Sequence, residues 1–268
     1  MRAILVVLLV ATPSLLLPDV SSDVTQIVAL LSIFAAALTI FEYASVYPGI
    51  VEFRNAPPFN RLRFISLFLI VFLISMVVRG ETNPSAVTDA ITDFGTGIGE
   101  AIDFPYSPVR QILLLLPDDT ISEHVGRVRM AAGISYFISM LTLAVFYFFV
   151  RIRNWPLNRG PFNVWVNLPT FDPTTGGDVV ARLERDARFN IVVGFTMPFM
   201  IPAALKASES LFGPVTLDNP QSMVWIVAAW AFLPASLLMR GLAMARIAEM
   251  IERKRAKTAQ ARQALQPA

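Results

Sequence analysis

Six stretches of this sequence run for fifteen residues or more without a single charge, and no other feature restricts the fold as strongly. They lie between Arg2 and Asp19, Asp23 and Glu42, Arg63 and Arg79, Arg129 and Arg151, Arg188 and Lys206, and Asp218 and Arg240. A hydrocarbon core of about 30 Å takes roughly 17 to 25 helical residues to cross. The run between Arg63 and Arg79 is short, but the two arginines can snorkel outward and lengthen its span. The expected fold is therefore an all-α integral membrane protein, a single bundle of six transmembrane helices near residues 3–18, 24–46, 63–79, 130–150, 189–206 and 219–240. Only 16% of the 268 residues are charged, against roughly 25% in soluble domains, which is too few to cover a water-facing surface.

The sorting of those few charges gives an orientation, because cytoplasmic loops collect Lys and Arg. With both termini inside, the cytoplasmic pieces hold 17 of the 22 basic residues and the opposite side holds 12 of the 20 acidic ones. A multi-pass protein of the cell inner membrane is expected. The first segment is also compatible with a cleaved secretory signal, since Arg2 precedes an apolar run, and Pro13 and Pro18 suit a spanning helix poorly. No small-x-small site precedes Asp19, so retention is the reading adopted; cleavage would leave five crossings.

Two loops are long enough to carry structure. In the extracytoplasmic loop, residues 80–129, Asn83-Pro84 is a suitable helix start. Val87, Ile91, Phe94, Ile98 and Ile102 then share one helical face, with Asp89, Asp93, Glu100 and Asp103 away from it, as in an amphipathic helix lying on the outer membrane interface or on the bundle. Gly95, Gly97 and Gly99 require either a break there or close approach of another backbone. Ile112 to Leu116, too short to cross, reads as a second interfacial or half-buried piece. In the cytoplasmic loop, residues 151–188, Trp155, Phe162, Trp165 and Phe171 alternate with prolines, which predicts an extended path with the aromatics at head-group level. Gly176-Gly177-Asp178 should cap a short helix leading into the fifth crossing. The sixth should continue into a basic tail, residues 241–268.

Candidate sites are few. Zero Cys and one His remove thiolate sites and His-ligated centres, and neither a cofactor nor a metal is expected. The Gly95 to Gly99 run has the wrong spacing for a nucleotide loop. Asp118, Asp119, Glu123 and His124 read as a solvated helix start with Thr120 as cap. Lys206 and Glu209 read as a helix-surface ion pair. Glu42, at the inner end of the second crossing, is a candidate intramembrane polar site, more simply paired with Arg54, Arg61 or Arg63. Arg54, Arg61, Arg63, Arg151, Arg153, Trp155 and Trp165 are candidate contacts to lipid head groups or partners. The aromatics Phe137, Phe146, Phe148 and Phe149 should face lipid.

No catalytic residues stand out, and the chain is read as a non-enzyme. The function expected is that of an integral subunit or assembly factor of a larger bacterial-type inner-membrane complex. Its partners would be other membrane subunits, anionic lipids and, at the acidic outer face, a basic soluble protein; nucleic acid is not expected. The competing reading is a small transporter or channel built on the fifth and sixth helices, which Pro198, Pro202 and Pro234 should kink.

Overall fold

A computed structural model describes residues 1–156, 162–172, 174, 176–213 and 217–264. Among them all regular structure is helical: α1 (Arg2–Leu16), α2 (Ser22–Ala44), α3 (Phe59–Thr82), α4 (Ala86–Ile102), α5 (Pro108–Leu113), α6 (Ser122–Arg151), α7 (Val164–Asn167), α8 (Val179–Phe212) and α9 (Pro220–Ala264). Five of these, α2, α3, α6, α8 and α9, are long and apolar enough to cross a membrane. The chain is thus a multi-pass membrane protein. Helix α1 is apolar but has 15 residues, about 22 Å of rise, short of the hydrocarbon thickness.

Consecutive long helices run in opposite directions, so the bundle has two chemically distinct ends. At the basic end, the α2 and α6 C-termini meet the α3 and α8 N-termini and the middle of α9. Trp155 Nε1 donates to the Ala56 carbonyl there at 3.0 Å, and Arg255 reaches Asp178 at 2.6 Å. At the acidic end, Arg127 of α6 pairs with Glu81 of α3 at 2.5 Å. His124 lies 3.4 Å from Asp218, and Gln221 donates to the Ser14 hydroxyl at 3.2 Å. Helix α1 runs between the two ends, since Arg2 sits 4.0 Å over the Tyr43 ring while Ser14 meets the start of α9.

Two apolar clusters fill the bundle. One, with Ile70, Ile74, Ile112, Val128, Ile134 and Met223, occupies the acidic half. The other, with Phe53, Phe59, Phe146, Leu168, Leu183 and Met239, fills the basic end. Phe146, expected to face lipid, is fully buried against Phe59 and Trp155, because the loop after α6 folds back over it. Phe148 is 45% exposed, and Phe137 packs edge-on to Phe94 of α4.

Helix α4 runs unbroken through its three glycines, which resolves their role. A Cβ on Gly133 of α6 would lie 2.6 Å from the Gly99 Cα, and one on Gly95 would lie 2.8 Å from Ile134. Gly95 and Gly99 let α4 lie directly on α6, whereas a Cβ on Gly97 would meet nothing within 4 Å. Its N-cap is Ser85 rather than Asn83: the Ser85 hydroxyl accepts from the Thr88 N–H, and the Thr88 hydroxyl accepts from the Ser85 N–H. The stretch Ile112 to Leu116 begins in the last two residues of α5, and Ile112, Leu113, Leu115 and Leu116 are buried in the core while Leu114 is 57% exposed. Helix α6 starts at Ser122 with Ile121 as N-cap, so Asp118, Asp119 and Thr120 belong to the preceding turn.

Asp178 caps α8, as expected, but the helix is one continuous rod of 34 residues. A short helix, α7, interrupts the loop expected to be extended. Pro202 has no N–H, which frees the carbonyl of Pro198 one turn earlier; the Trp230 indole of α9 donates to that carbonyl at 2.9 Å. A Cβ on Gly194 of α8 would lie 2.8 Å from the Pro234 carbonyl oxygen of α9. Here the prolines and glycines serve close packing of α8 on α9.

Candidate functional site

The basic end brings together most of the residues singled out in the sequence, but in roles that differ from one another. Glu42, 3% exposed, is not paired through its side chain with an arginine. Its carboxylate accepts from the backbone N–H groups of Gly49 (3.1 and 3.2 Å), Ile50 (2.9 Å) and Val51 (3.0 Å). Such a nest of amides satisfies a carboxylate where water is scarce. Arg54 completes the clasp from the other side, donating to the carbonyls of Glu42 (2.8 Å) and Ser45 (2.6 Å) at the C-terminus of α2. Together they fold the chain after α2 back onto its own helix end.

That fold-back delivers Glu52 into the bundle. Its carboxylate takes a bidentate grip from Arg240 of α9, Nε at 2.7 Å and Nη2 at 2.9 Å. Thr170 donates to it at 2.9 Å. The Glu52 carbonyl accepts from Asn60 Nδ2 at 2.6 Å. Two-point guanidinium to carboxylate pairing fixes direction as well as distance, so one acidic side chain ties three segments together. Sequence reasoning passed over this pair. Arg240 served only to bound a crossing, and the one available signal was that Glu52 is the sole acid in an otherwise basic loop between Tyr47 and Arg63.

Arg63 lines the same space and makes no ion pair among the described residues. Its guanidinium lies 5.6 Å from the Phe59 ring centre and 5.8 Å from that of Phe232, within cation–π range. Its buried Nε–H has no acceptor among the described residues. Arg63, Glu52 and Arg240 line a cavity of about 280 Å³, with Ile50, Phe59, Leu233, Ser236 and Leu237 completing it.

The Trp155 ring, expected at head-group level, is 4% exposed. It lies 5.7 Å from Phe53 and 5.2 Å from Phe146, and burial is permitted because its N–H finds the Ala56 carbonyl. Its edge still lines a second cavity, about 370 Å³, with Pro57, Pro58, Arg61, Phe149, Arg153 and Pro156. Arg61 and Arg153 are exposed there. Arg151 is also exposed, its guanidinium 5.8 Å from the Tyr147 ring. The Trp165 side chain lies outside the described residues. Arg246, another residue the sequence did not mark, is 6% exposed and locks the α6 exit to α9. It donates to the Trp155 carbonyl at 3.2 Å and pairs with Glu249 at 2.6 Å.

At the acidic end the charges are arranged the other way round. Asp103, just after α4, lies between Arg129 at 2.9 Å and Arg110 at 2.7 Å, and Glu81 holds Arg127. Among the described residues no three His, Asp or Glu side chains converge as a metal site would need. Lys206 and Glu209 form a surface pair at 2.9 Å. Comparison with known families, characterised proteins and solved structures found no match for this chain.

Proposed function

We propose that this protein is a non-enzymatic integral subunit, or an assembly factor, of a larger bacterial-type inner-membrane complex. In this reading the basic end and both termini face the cytoplasm, and α1 adds a sixth, short crossing. The observation that carries it is the use made of the buried carboxylates. Glu42 is held by backbone amides, Glu52 by Arg240 and Thr170, and Asp103 by two arginines. A proton or ion pathway requires intramembrane charge that can change partners, whereas these carboxylates fasten loops to helix ends. What remains for neighbours is surface. The apolar window of α2 is only 11% buried within the chain, against 56% for α9, and Ile27, Leu30, Leu31, Phe34 and Phe41 are exposed along it. That face suits other membrane subunits, the basic end suits anionic lipids, and the acidic end suits a basic soluble partner.

The test is purification of the full chain from its native membrane in mild detergent. A stoichiometric membrane-protein partner, lost when Leu30 and Phe34 are both changed to Asn, is the expected result. A monomer alone on a native gel, with no partner recovered by in-membrane cross-linking along α2, would overturn the proposal.

A further inference from the structure

The cavity between α3 and α9 has one cation more than its own acceptors absorb. Both Glu52 oxygens are engaged by Arg240, and one of them also by Thr170. Arg63 makes no ion pair among the described residues, and the cation–π contacts engage its face while its Nε–H edge stays without an acceptor. A part-buried guanidinium next to hydrocarbon is costly unless an anion completes it. The free edge of a guanidinium is the fork that meets phosphate oxygens two at a time. Ser236, 8% exposed, lines the same wall, and a serine hydroxyl can donate to a phosphate oxygen.

The mouth of the cavity is apolar. Ile50 and Leu233 are 66% and 48% exposed, with Leu237 beside them. Arg63 and Arg240 each bound an apolar span, so the cation sits at the depth where head groups begin. A volume of about 280 Å³ admits a head group while leaving acyl chains outside.

We propose that this cavity binds a phosphate-bearing anion on Arg63 and Ser236, and that its source is an anionic phospholipid whose chains run over Ile50 and Leu233. The inference deepens, and rests on, the reading that the basic end meets anionic lipid. The two fail separately, because diffuse attraction is shared by every cation of that end and the site depends on one.

The experiment uses the full chain in zwitterionic detergent, titrated with phosphatidylglycerol, phosphatidylcholine or inorganic phosphate and read by native mass spectrometry and thermal melting. One phosphatidylglycerol should bind per chain at least ten-fold more tightly than phosphatidylcholine and raise the melting temperature. Arg63→Gln should lose ten-fold or more of that affinity, Arg63→Lys should lose less, and Arg262→Gln, the same charge change on the exposed tail, should bind as wild type does. If inorganic phosphate binds as tightly as the lipid, and Arg63→Gln abolishes it, the site stands and the free ion is its source. Equal losses in Arg63→Gln and Arg262→Gln, or none in either, would overturn the site. Should Arg63→Gln fail to fold, the wild-type chain decides: equal affinity for the two lipids and no effect of phosphate overturns it.

Discussion

The two ends of the bundle solve the same problem with opposite charges. At the basic end the buried acids are consumed internally, Glu42 by backbone amides and Glu52 by Arg240, and exposed cations such as Arg61 and Arg151 give the surface its sign. At the acidic end Arg110, Arg127 and Arg129 are consumed by Asp103 and Glu81, and the carboxylates left over, such as Asp118 and Asp119, face outward. At each end the fold uses its buried minority charge to fasten loops, and the exposed charge is mostly of the other sign. A minority charge in a loop is therefore worth more to stability than a majority one.

The largest test of that difference is Glu52→Gln, which leaves Arg240 beside Arg63 with no carboxylate. It should cost about 3 kcal/mol in reversible unfolding, whereas Asp118→Asn at the other end should stay within about 0.5 kcal/mol. Comparable losses in both would break the contrast. Next comes the apolar fastening of the acidic end, where Gly133→Val forces α4 off α6 and should cost about 2 to 3 kcal/mol, seen as protease cleavage within residues 84–107 before global melting. Glu42→Gln removes one acceptor oxygen from the amide nest and should cost about 1 to 2 kcal/mol, with hydrogen exchange rising first at Gly49 to Val51. At Gly97, by contrast, an added Cβ would meet nothing within 4 Å, so Gly97→Ala should raise the melting point, by up to about 1 kcal/mol of helix stability.

The smallest effect concerns the contact between the α8 cap and the tail. Arg255 donates to Asp178 and holds its carboxyl below the usual aspartate range, helped by the Ala181 N–H. A depressed folded value means that the contribution is fully present above the ordinary aspartate range and is lost as pH falls through the lowered value. Spin labels at Gly176 and Thr258 should keep one distance from neutral pH down to about pH 4 and separate only below it. Asp178→Asn should separate them at neutral pH, and a distance insensitive to both changes would remove the contact.

Much of the architecture was legible because the bilayer is a simple solvent. Charge-free runs mark the long helices, the face of Val87, Ile91 and Phe94 marks α4, and Asp178 marks the start of α8. The misplacements share one cause. Phe146, Trp155 and Leu116 look lipid-facing because apolar side chains satisfy a membrane and a protein core equally well, and only the path of the flanking loops decides between them. The Ser85 cap, two residues past the expected one, turned on which hydroxyl met which N–H. The candidate site was legible as a cluster of cations, but not as a cavity, because its shape depends on Glu52 reaching Arg240 across 188 positions of sequence.

The sequence by itself determined that this chain is helical and multi-pass with its charges at the helix ends, since transfer of charge into hydrocarbon is too costly for any arrangement of loops to offset. The tertiary structure alone decided which of those charges are spent. Pairing requires side-chain atoms within about 3 Å, and a distance of that kind is set by how helices pack and loops fold back, not by spacing along the chain. Spacing alone does not separate the roles of Arg54, Arg63 and Arg240; in the fold the first caps a helix, the last grips Glu52, and the buried Nε–H of Arg63 has no acceptor among the described residues.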